Sequence, residues 1–438
     1  MRRTSVGRVD VAYVELWGRC LGAVAWNEKR GCADFEYDPA FLKQGLEVSP
    51  LMMPLGKQVY SFPALKIDTY HGLPGMLADA LPDRFGNRLI DLWFAGQGRA
   101  LGDFSPVERL CYMGTRAMGA LEFQPALEPS LKGSVRLEIA ELVGLASRIL
   151  DHKKKLTTNF LENRQEAIKT IIRVGTSAGG NRAKAVIAWN PKTGEVRSGQ
   201  VGVSPGFEPW ILKFDGVNDE SLGDPKGFGR VEYAYYLMAV KAGIRMNSCR
   251  LLEENERAHF MTRRFDRDEE GCKIHTQSLC AMAHFDFNAA GEYGYEQAFN
   301  IILRLNLGHE ALQEMYRRMV FNVLARNQDD HTRNIAFLMG RDGAWRLSPA
   351  FDMVWAYNPS GRWTDRHQMS IHGKRDGFAL GDLEVPAVEY DIRGAAKIRK
   401  EVAEAVALWP EFSRLAGVDR RMSKEIGTTH LFQIVLGK

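Results

Sequence analysis

The sequence predicts an α+β fold built in three parts, and three observations support this. Short strand-like runs, separated by glycine-containing turns, fill residues 8 to about 40. A mixed segment of strands and helices follows, and helical periodicity dominates from about residue 266 onward. The three expected parts are a β-rich N-terminal subdomain over residues 1–130, a mixed domain over 131–265 and a mainly helical domain over 266–438.

The composition restricts the class of protein. The chain has 438 residues, of which 45% are hydrophobic and 26% charged, as is typical of a folded globular protein. The net charge of +4 is mild, and the short basic clusters favour solvated helix faces over a nucleic-acid surface. Six scattered cysteines without a C-x-x-C pair predict neither a zinc site nor a disulfide framework. No apolar run suits export or membrane insertion, so we expect a cytoplasmic protein with no membrane partner.

The N-terminal part has the pattern of a small sheet. Its strand-like runs are VDVAYVELWG, CLGAVAWNE and CADFEYD, and in the third Phe35 and Tyr37 alternate with acidic residues. Helical periodicity then appears in SVRLEIAELVGLASRIL, residues 134 to 150, which places a boundary near residue 130.

The middle part places a glycine-rich loop between two strand-like runs. IIRV, from residue 171, leads into GTSAGGNRAK and then into AVIAW. EVRSG and WILKF are further predicted strands, and the helix VEYAYYLMAVKAG closes at Gly243, a plausible C-cap. This part therefore alternates strands with one long helix.

The stretch NQDDHTRN, residues 327–334, is the most informative one. The runs IAFLM and AWRLS follow it, flank GRDG and predict a β-hairpin. An apolar stripe at helical spacing precedes it, so the loop joins a helix anchored in a core to a hairpin. The stripe consists of Leu312, Met315, Tyr316, Met319, Val320, Val323 and Leu324.

The hairpin should bring three polar side chains together. Asn334 stands just before the first strand and Asp352 four residues beyond the second, so antiparallel pairing places them close. Asp329 lies five residues before Asn334, the spacing of the base and the metal-binding Asn in protein-kinase catalytic loops. We therefore predict Asp329 as a general base and Asn334 with Asp352 as Mg²⁺ ligands. The alternative is a polar turn whose side chains cap backbone groups.

A phosphate cradle and a lysine complete the pattern. The glycines of GTSAGG let backbone N–H groups approach an anion, although a plain glycine-rich turn is the alternative. Lys213 in the apolar strand WILKF needs a partner, which Glu232 on the next helix can supply; the alternative is an edge-strand lysine facing water. These elements occur in kinase order, which predicts a protein-kinase-like two-lobed fold behind the N-terminal β subdomain.

With these motifs, the chain resembles the HipA family of bacterial serine/threonine kinases, the toxins of type II toxin–antitoxin modules. The resemblance covers nearly the full length, and LPDRFG together with D-x-H-x-x-N is specific to the family. The matching segments are GLPGMLADALPDRFGNRL (72–89), MGALEFQP (118–125), GTSAGGNRAK (175–184), RRFDR (263–267), DDHTRN (329–334) and LSPAFDM (347–353).

The resemblance implies a role for each matching residue. The implied catalytic residues are Asp329 as the base, Lys213, which holds the nucleotide, and His331, which lines the γ-phosphate region. Mg²⁺ is implied to bind Asn334 and Asp352. The implied ATP-binding residues are Ser177, Gly179, Gly180, Asn181, Arg182, Lys184, Lys213, Glu232, His331 and Asn334.

The resemblance also implies regulation and partners. Autophosphorylation of Ser177 would switch the enzyme off, with Thr176 as the neighbouring alternative; Gly179 stands where some members carry a second hydroxyl residue. The implied partner is a helix-turn-helix antitoxin, HipB, through which DNA is bound indirectly. Known family targets include aminoacyl-tRNA synthetases, so a translation component is the expected substrate.

Two other functions stay open. One is a catalytically weak scaffold or co-repressor that acts with a DNA-binding antitoxin, and the other is a small-molecule phosphotransferase of kinase-like fold. The set Lys213, Asp329, Asn334 and Asp352 argues against the scaffold, because a scaffold needs neither a base nor metal ligands. The N-terminal β subdomain and LPDRFG argue against the phosphotransferase.

Overall fold

The computed structural model describes residues 8–82, 84–96, 99, 103–127, 136–151, 183–200, 205–217 and 226–437. Most of the glycine-rich loop, including Thr176, Ser177 and residues 179–182, lies outside the described residues. The chain folds into two compact units. The first comprises Met1–Lys226 and Leu252–Thr276, and the second comprises Gly227–Leu251 and Gln277–Lys438. The three-part division expected from the sequence stays a prediction.

Within the described residues, the strands form three sheets. Their orders are β4-β3-β2-β1-β5, β7-β6-β8-β10-β9 and β11-β12-β13. The strands are β1 Val11–Leu16, β2 Arg19–Asn27, β3 Cys32–Tyr37, β4 Tyr60–Ser61, β5 Leu121–Gln124, β6 Lys184–Trp189, β7 Val196–Ser198, β8 Glu208–Lys213, β9 Cys249–Glu254, β10 Arg257–Arg263, β11 His275–Ser278, β12 Ala336–Met339 and β13 Trp345–Leu347.

The helices of the described residues differ in length, and the longest is His309–Leu324 with 16 residues. In the part of the chain that the structure describes, none is long and apolar enough to cross a membrane. The helices are α1 Pro39–Leu42, α2 Ile67–Tyr70, α3 Gly75–Ala78, α4 Arg84–Gly96, α5 Pro106–Met113, α6 Ile139–Asp151, α7 Phe228–Lys241, α8 Leu279–Ala283, α9 Tyr295–Arg304, α10 His309–Leu324, α11 Leu380–Glu389, α12 Ala395–Ala407, α13 Trp409–Leu415, α14 Arg420–Thr429 and α15 Gln433–Leu436.

The N-terminal sheet follows the predicted alternation. Neighbouring strands pair antiparallel throughout this sheet. Ala12, Val14 and Leu16 of β1 and Phe35 and Tyr37 of β3 are buried, as a period of two residues requires for one covered face. The β-rich N-terminal structure is therefore confirmed.

The second sheet carries Lys213 on a central strand. β8 lies between β6 and β10, so the edge-strand alternative for Lys213 is wrong. Lys213 stands opposite the buried Lys184 of β6 and opposite Phe260 of β10. Side chains opposite one another in a ladder share a face, so two cationic residues lie side by side.

Helix α10 and the hairpin after it match the predicted elements. All seven residues of the apolar stripe are at most 5% exposed, which anchors α10 in the core of the second unit. β12 and β13 pair antiparallel, with Phe337 opposite Leu347. The loop of residues 327–334 therefore joins a rigid helix to a rigid hairpin.

Candidate functional site

The loop after α10 holds its polar side chains in fixed positions. Arg326 takes a positive φ of 55°, which turns the chain out of the helix. Thr332–Asn334 form a 3₁₀ turn before β12. Asn334 Nδ2 donates to the carbonyl oxygen of Asp329 over 2.8 Å, so the amide nitrogen is engaged within the loop. The amide oxygen of Asn334 is thereby the atom presented for ligand binding.

Several residues of this loop line a small cavity of about 20 Å³. Asn334 and Asp352 both line it, which is the convergence that the hairpin predicts. His331 lines it too, whereas Asp329 is not part of the lining. Asp352 has a φ of 53°, an uncommon conformation for a residue other than glycine. Strained backbone of this kind is concentrated at functional sites.

The donors around the cavity fit a hard cation. Asn327 also lines it, and its Oδ1 is buried with no hydrogen-bond partner among the described residues. The Nδ2 of Asn327 donates to Asn322 Oδ1 over 2.9 Å, which fixes the direction of the amide. Two amide oxygens and the Asp352 carboxylate are oxygen donors of the type that Mg²⁺ prefers. The residues present therefore suit the metal that the sequence predicts.

Asp330 was given no role by the sequence, yet it is the most enclosed carboxylate of the loop. Its side chain is 1% exposed. Oδ2 accepts from the Tyr295 hydroxyl and from His367 Nδ1, each over 2.8 Å, and Oδ1 accepts from the Gln368 backbone N–H over 2.8 Å. Burial opposes ionisation, but the interaction with His367 and these hydrogen bonds together lower the pKa of Asp330. Asp330 is thus a charged anchor.

Asp329 has the opposite environment. Its side chain is 41% exposed, and Oδ1 accepts from the indole Nε1 of Trp363 over 2.5 Å. His331 Nε2 lies 3.9 Å from the same oxygen. The exposure of Asp329 leaves room for a substrate group, as a general base requires. Trp363 lies in a polar stretch without periodicity, so nothing in the sequence marked it.

The other predicted nucleotide-binding residues that the structure describes are Lys184, Lys213 and Glu232, and they lie in two units. Lys213 is in the first unit, where its ammonium nitrogen is 5.6 Å from the centroid of the Phe260 ring. Glu232 is buried on α7 in the second unit. The pairing of Lys213 with Glu232 stays a prediction. Lys184, at the end of the phosphate-binding segment, is described and is buried.

The site combines the helix α10, the D-x₄-N loop, the hairpin of β12 and β13, and Asp352. This order, on a framework of mixed sheets and helices, defines a kinase-like protein of α+β fold. The chain belongs to the HipA family. Residues 176–409 match the family described as the HipA-like C-terminal domain, and residues 12–124 match the HipA N-terminal domain. The predicted family and fold class are therefore confirmed.

Two relatives illustrate the similarity. HipA in the Shewanella oneidensis MR-1 structure of a toxin–antitoxin system with HipB and operator DNA has a TM-score of 0.66. It is 15% identical, and the match covers 97% of this chain and 96% of that chain, which shows a common fold. A Haemophilus influenzae protein named as a candidate kinase is 31% identical over 107 residues, 22% of this chain. The chain spans about 30% of the length of that curated relative.

Proposed function

We propose that the protein is an ATP- and Mg²⁺-dependent serine/threonine kinase that acts as a HipA-like toxin. Asp329 accepts the proton of a substrate hydroxyl while the hydroxyl oxygen attacks the γ-phosphorus, and the bond to the bridging oxygen of ADP breaks. Asn334 and Asp352 would hold Mg²⁺, which neutralises phosphate charge when bound. Lys184 and Lys213 supply positive charge for the phosphates.

The observation that carries this proposal is the arrangement around Asn334. Its amide nitrogen is engaged by Asp329 O, and its side chain lines one cavity with Asp352. A polar turn that only caps its own backbone would not need a second carboxylate from beyond the hairpin. A base and two oxygen ligands at adjoining positions are the elements of phosphoryl transfer.

The regulation and the partners of the protein belong to the same proposal. We propose that Ser177 is the autophosphorylation site, because a phosphate there would compete with ATP for the backbone cradle. The Shewanella relative is seen with HipB and operator DNA, which supports a HipB-like antitoxin that connects this chain to DNA. The proposed substrate is a translation component such as an aminoacyl-tRNA synthetase.

Incubation of the purified protein with radiolabelled ATP and Mg²⁺ tests the proposal. Label on protein is expected for the wild type, and Asp329→Ala and Asp352→Ala should each lose on the order of 10²-fold or more in rate. Asp342→Ala is the matched control, because Asp342 is an exposed residue of the hairpin turn. Peptide mapping of the wild type should find phosphate on Ser177.

Each other outcome has a defined meaning. Wild-type turnover by a folded Asp352→Ala variant would refute the metal assignment. Label on a metabolite would indicate a small-molecule phosphotransferase, and no label on any product would favour the scaffold. Phosphate on Thr176 would assign the autophosphorylation site to Thr176 instead of Ser177. The absence of phosphate on residues 175–184 would exclude autophosphorylation of this loop.

A further inference from the structure

Hydrogen bonds join the segment of residues 363–368, WTDRHQ, to the loop of residues 327–334. His367 Nδ1 and the Gln368 backbone N–H both bind the carboxylate of Asp330, each over 2.8 Å. The Gln368 side chain donates to Gln328 O over 3.4 Å and also to the carbonyl oxygen of Trp363. These contacts hold the backbone of Trp363 in place beside the loop.

The indole of Trp363 reaches the carboxylate of Asp329. Trp363 Nε1 donates to Asp329 Oδ1 over 2.5 Å, and the indole ring lies 6.3 Å from the His331 ring, centroid to centroid. Among the residues that the structure describes, no hydrogen bond engages Asp329 Oδ2. The carboxylate is attached through Cβ, so a hydrogen bond to Oδ1 restricts the χ1 and χ2 torsions of Asp329 and thereby narrows the directions in which Oδ2 can point.

A general base must place one oxygen within about 2.6–3.2 Å of the hydroxyl whose proton it removes. The side chain of Asp329 is 41% exposed, so packing alone does not select its rotamer. The Trp363 hydrogen bond supplies the missing constraint, because the segment that carries Trp363 is itself anchored on the buried Asp330.

We infer that Trp363 is a positioning residue for the general base: its indole N–H fixes Asp329 Oδ1 so that Oδ2 faces the substrate hydroxyl. This inference rests on the proposed kinase function. It differs from a covering role, in which the indole would block the base and its removal would raise the activity.

The kinetic test uses Trp363→Phe, which removes the N–H and keeps an aromatic ring next to His331. The kcat should fall about 10- to 100-fold, the size of effect that a displaced reacting group produces. The KM for ATP should stay within about twofold, because the phenyl ring of Trp363→Phe keeps the contact with His331 and only the N–H that binds Asp329 is removed. The matched control is Trp355→Phe, whose indole N–H donates to Thr429 Oγ1 over 3.1 Å, and its kcat should equal that of the wild type.

A second measurement is independent of activity. The nine tryptophans give indole N–H signals in a ¹H–¹⁵N correlation spectrum, and the Trp363 signal is assigned by its loss in Trp363→Phe. Asp329→Ala should move that signal upfield in the proton dimension, since a hydrogen bond to a carboxylate deshields the proton. The Trp355 signal should stay where it is.

The outcomes separate the inference from the proposed function. Unchanged or increased kcat in Trp363→Phe would overturn the positioning role, and an unmoved Trp363 signal in Asp329→Ala would overturn the contact. A wild type that transfers no phosphate would overturn the proposed function and with it the catalytic role, whatever the spectrum shows. A moved signal with reduced kcat, together with a normal Trp355→Phe variant, is the result that we expect.

Discussion

Replacement of Asp330 by Asn should destabilise the second unit, because this buried carboxylate accepts from three donors. An amide has one acceptor oxygen, so its NH₂ group must face either the Gln368 N–H or the pair formed by Tyr295 and His367. At least one buried donor then loses its acceptor, at about 1–3 kcal/mol, and the remaining hydrogen bonds lose their charge assistance. The expected loss in the free energy of unfolding is about 3 kcal/mol.

Urea denaturation measures this loss. For a slope of about 3 kcal/mol per molar urea, the transition midpoint should fall by roughly 1 M. Asp329→Asn is the matched control, since Asp329 is the adjacent residue but is 41% exposed. The free energy of unfolding of Asp329→Asn should differ from that of the wild type by at most about 0.5 kcal/mol, whereas its phosphotransfer activity should be lost. Equal midpoints for Asp330→Asn and the wild type would refute the assignment of Asp330 as an anchor.

The destabilisation by Asp330→Asn should also depend on pH, in a direction that follows from the pKa of Asp330. The pKa of Asp330 is lower in the folded state than in the unfolded state, so its contribution is present above the unfolded pKa near 4 and lost as the pH falls through the folded pKa. The difference between wild type and Asp330→Asn should therefore be constant above about pH 5 and shrink below about pH 4. A difference that grows on acidification would contradict this account.

Three further predictions concern other parts of the chain. Asp266→Ala should cost about 3–5 kcal/mol in urea denaturation, since it removes a buried carboxylate from two arginines, whereas the exposed Glu269→Ala should cost almost nothing. Burial lowers the pKa of His275 from 6.5 to about 4, so protonation of this group should reduce the free energy of unfolding by about 3 kcal/mol as the pH falls from about 6.5 to 4. A urea midpoint that does not fall between pH 7 and 5 would contradict this prediction. Asn334→Ala should weaken Mn²⁺ binding, measured by electron paramagnetic resonance, about tenfold or more, while the free energy of unfolding falls by no more than the roughly 0.5–1.5 kcal/mol of its one hydrogen bond to Asp329 O. Unaltered Mn²⁺ binding would exclude Asn334 as a ligand.

Local sequence patterns predicted the helix and the hairpin on either side of the site, because the periodicity of apolar residues indicates which face of an element is buried. The stripe from Leu312 to Leu324 became α10, and the hairpin after Asn334 formed where two apolar runs flank a glycine-containing turn. Antiparallel register then placed Asn334 and Asp352 at one cavity. Their roles as metal ligands, and that of Asp329 as a base, stay predictions that kinase assays must test.

The contacts of Asp330 and Trp363 could not be predicted because they depend on segments far apart in the chain. Two adjacent aspartates look alike in sequence, and only tertiary contacts from Tyr295, His367 and Gln368 distinguish the buried one from the exposed one. Trp363 stands two residues after Gly361, in a region without helical or strand periodicity. No local rule connects such a residue to a loop more than thirty positions upstream.

The same chain of hydrogen bonds explains why this loop is so polar. Asn327 donates to Asn322, Asn322 donates to the Tyr295 hydroxyl, and that hydroxyl donates to Asp330, over 2.9, 2.9 and 2.8 Å. Burial, and next the charge of Asp330, raise the pKa of Tyr295, so its hydroxyl stays protonated and can act as a donor. The chain connects the cavity that Asn327 lines to the segment that holds Trp363, through side chains of α9 and α10. The orientations of Asn327 and of the Asp330 carboxylate therefore depend on side chains of the core helices α9 and α10 as much as on the loop itself.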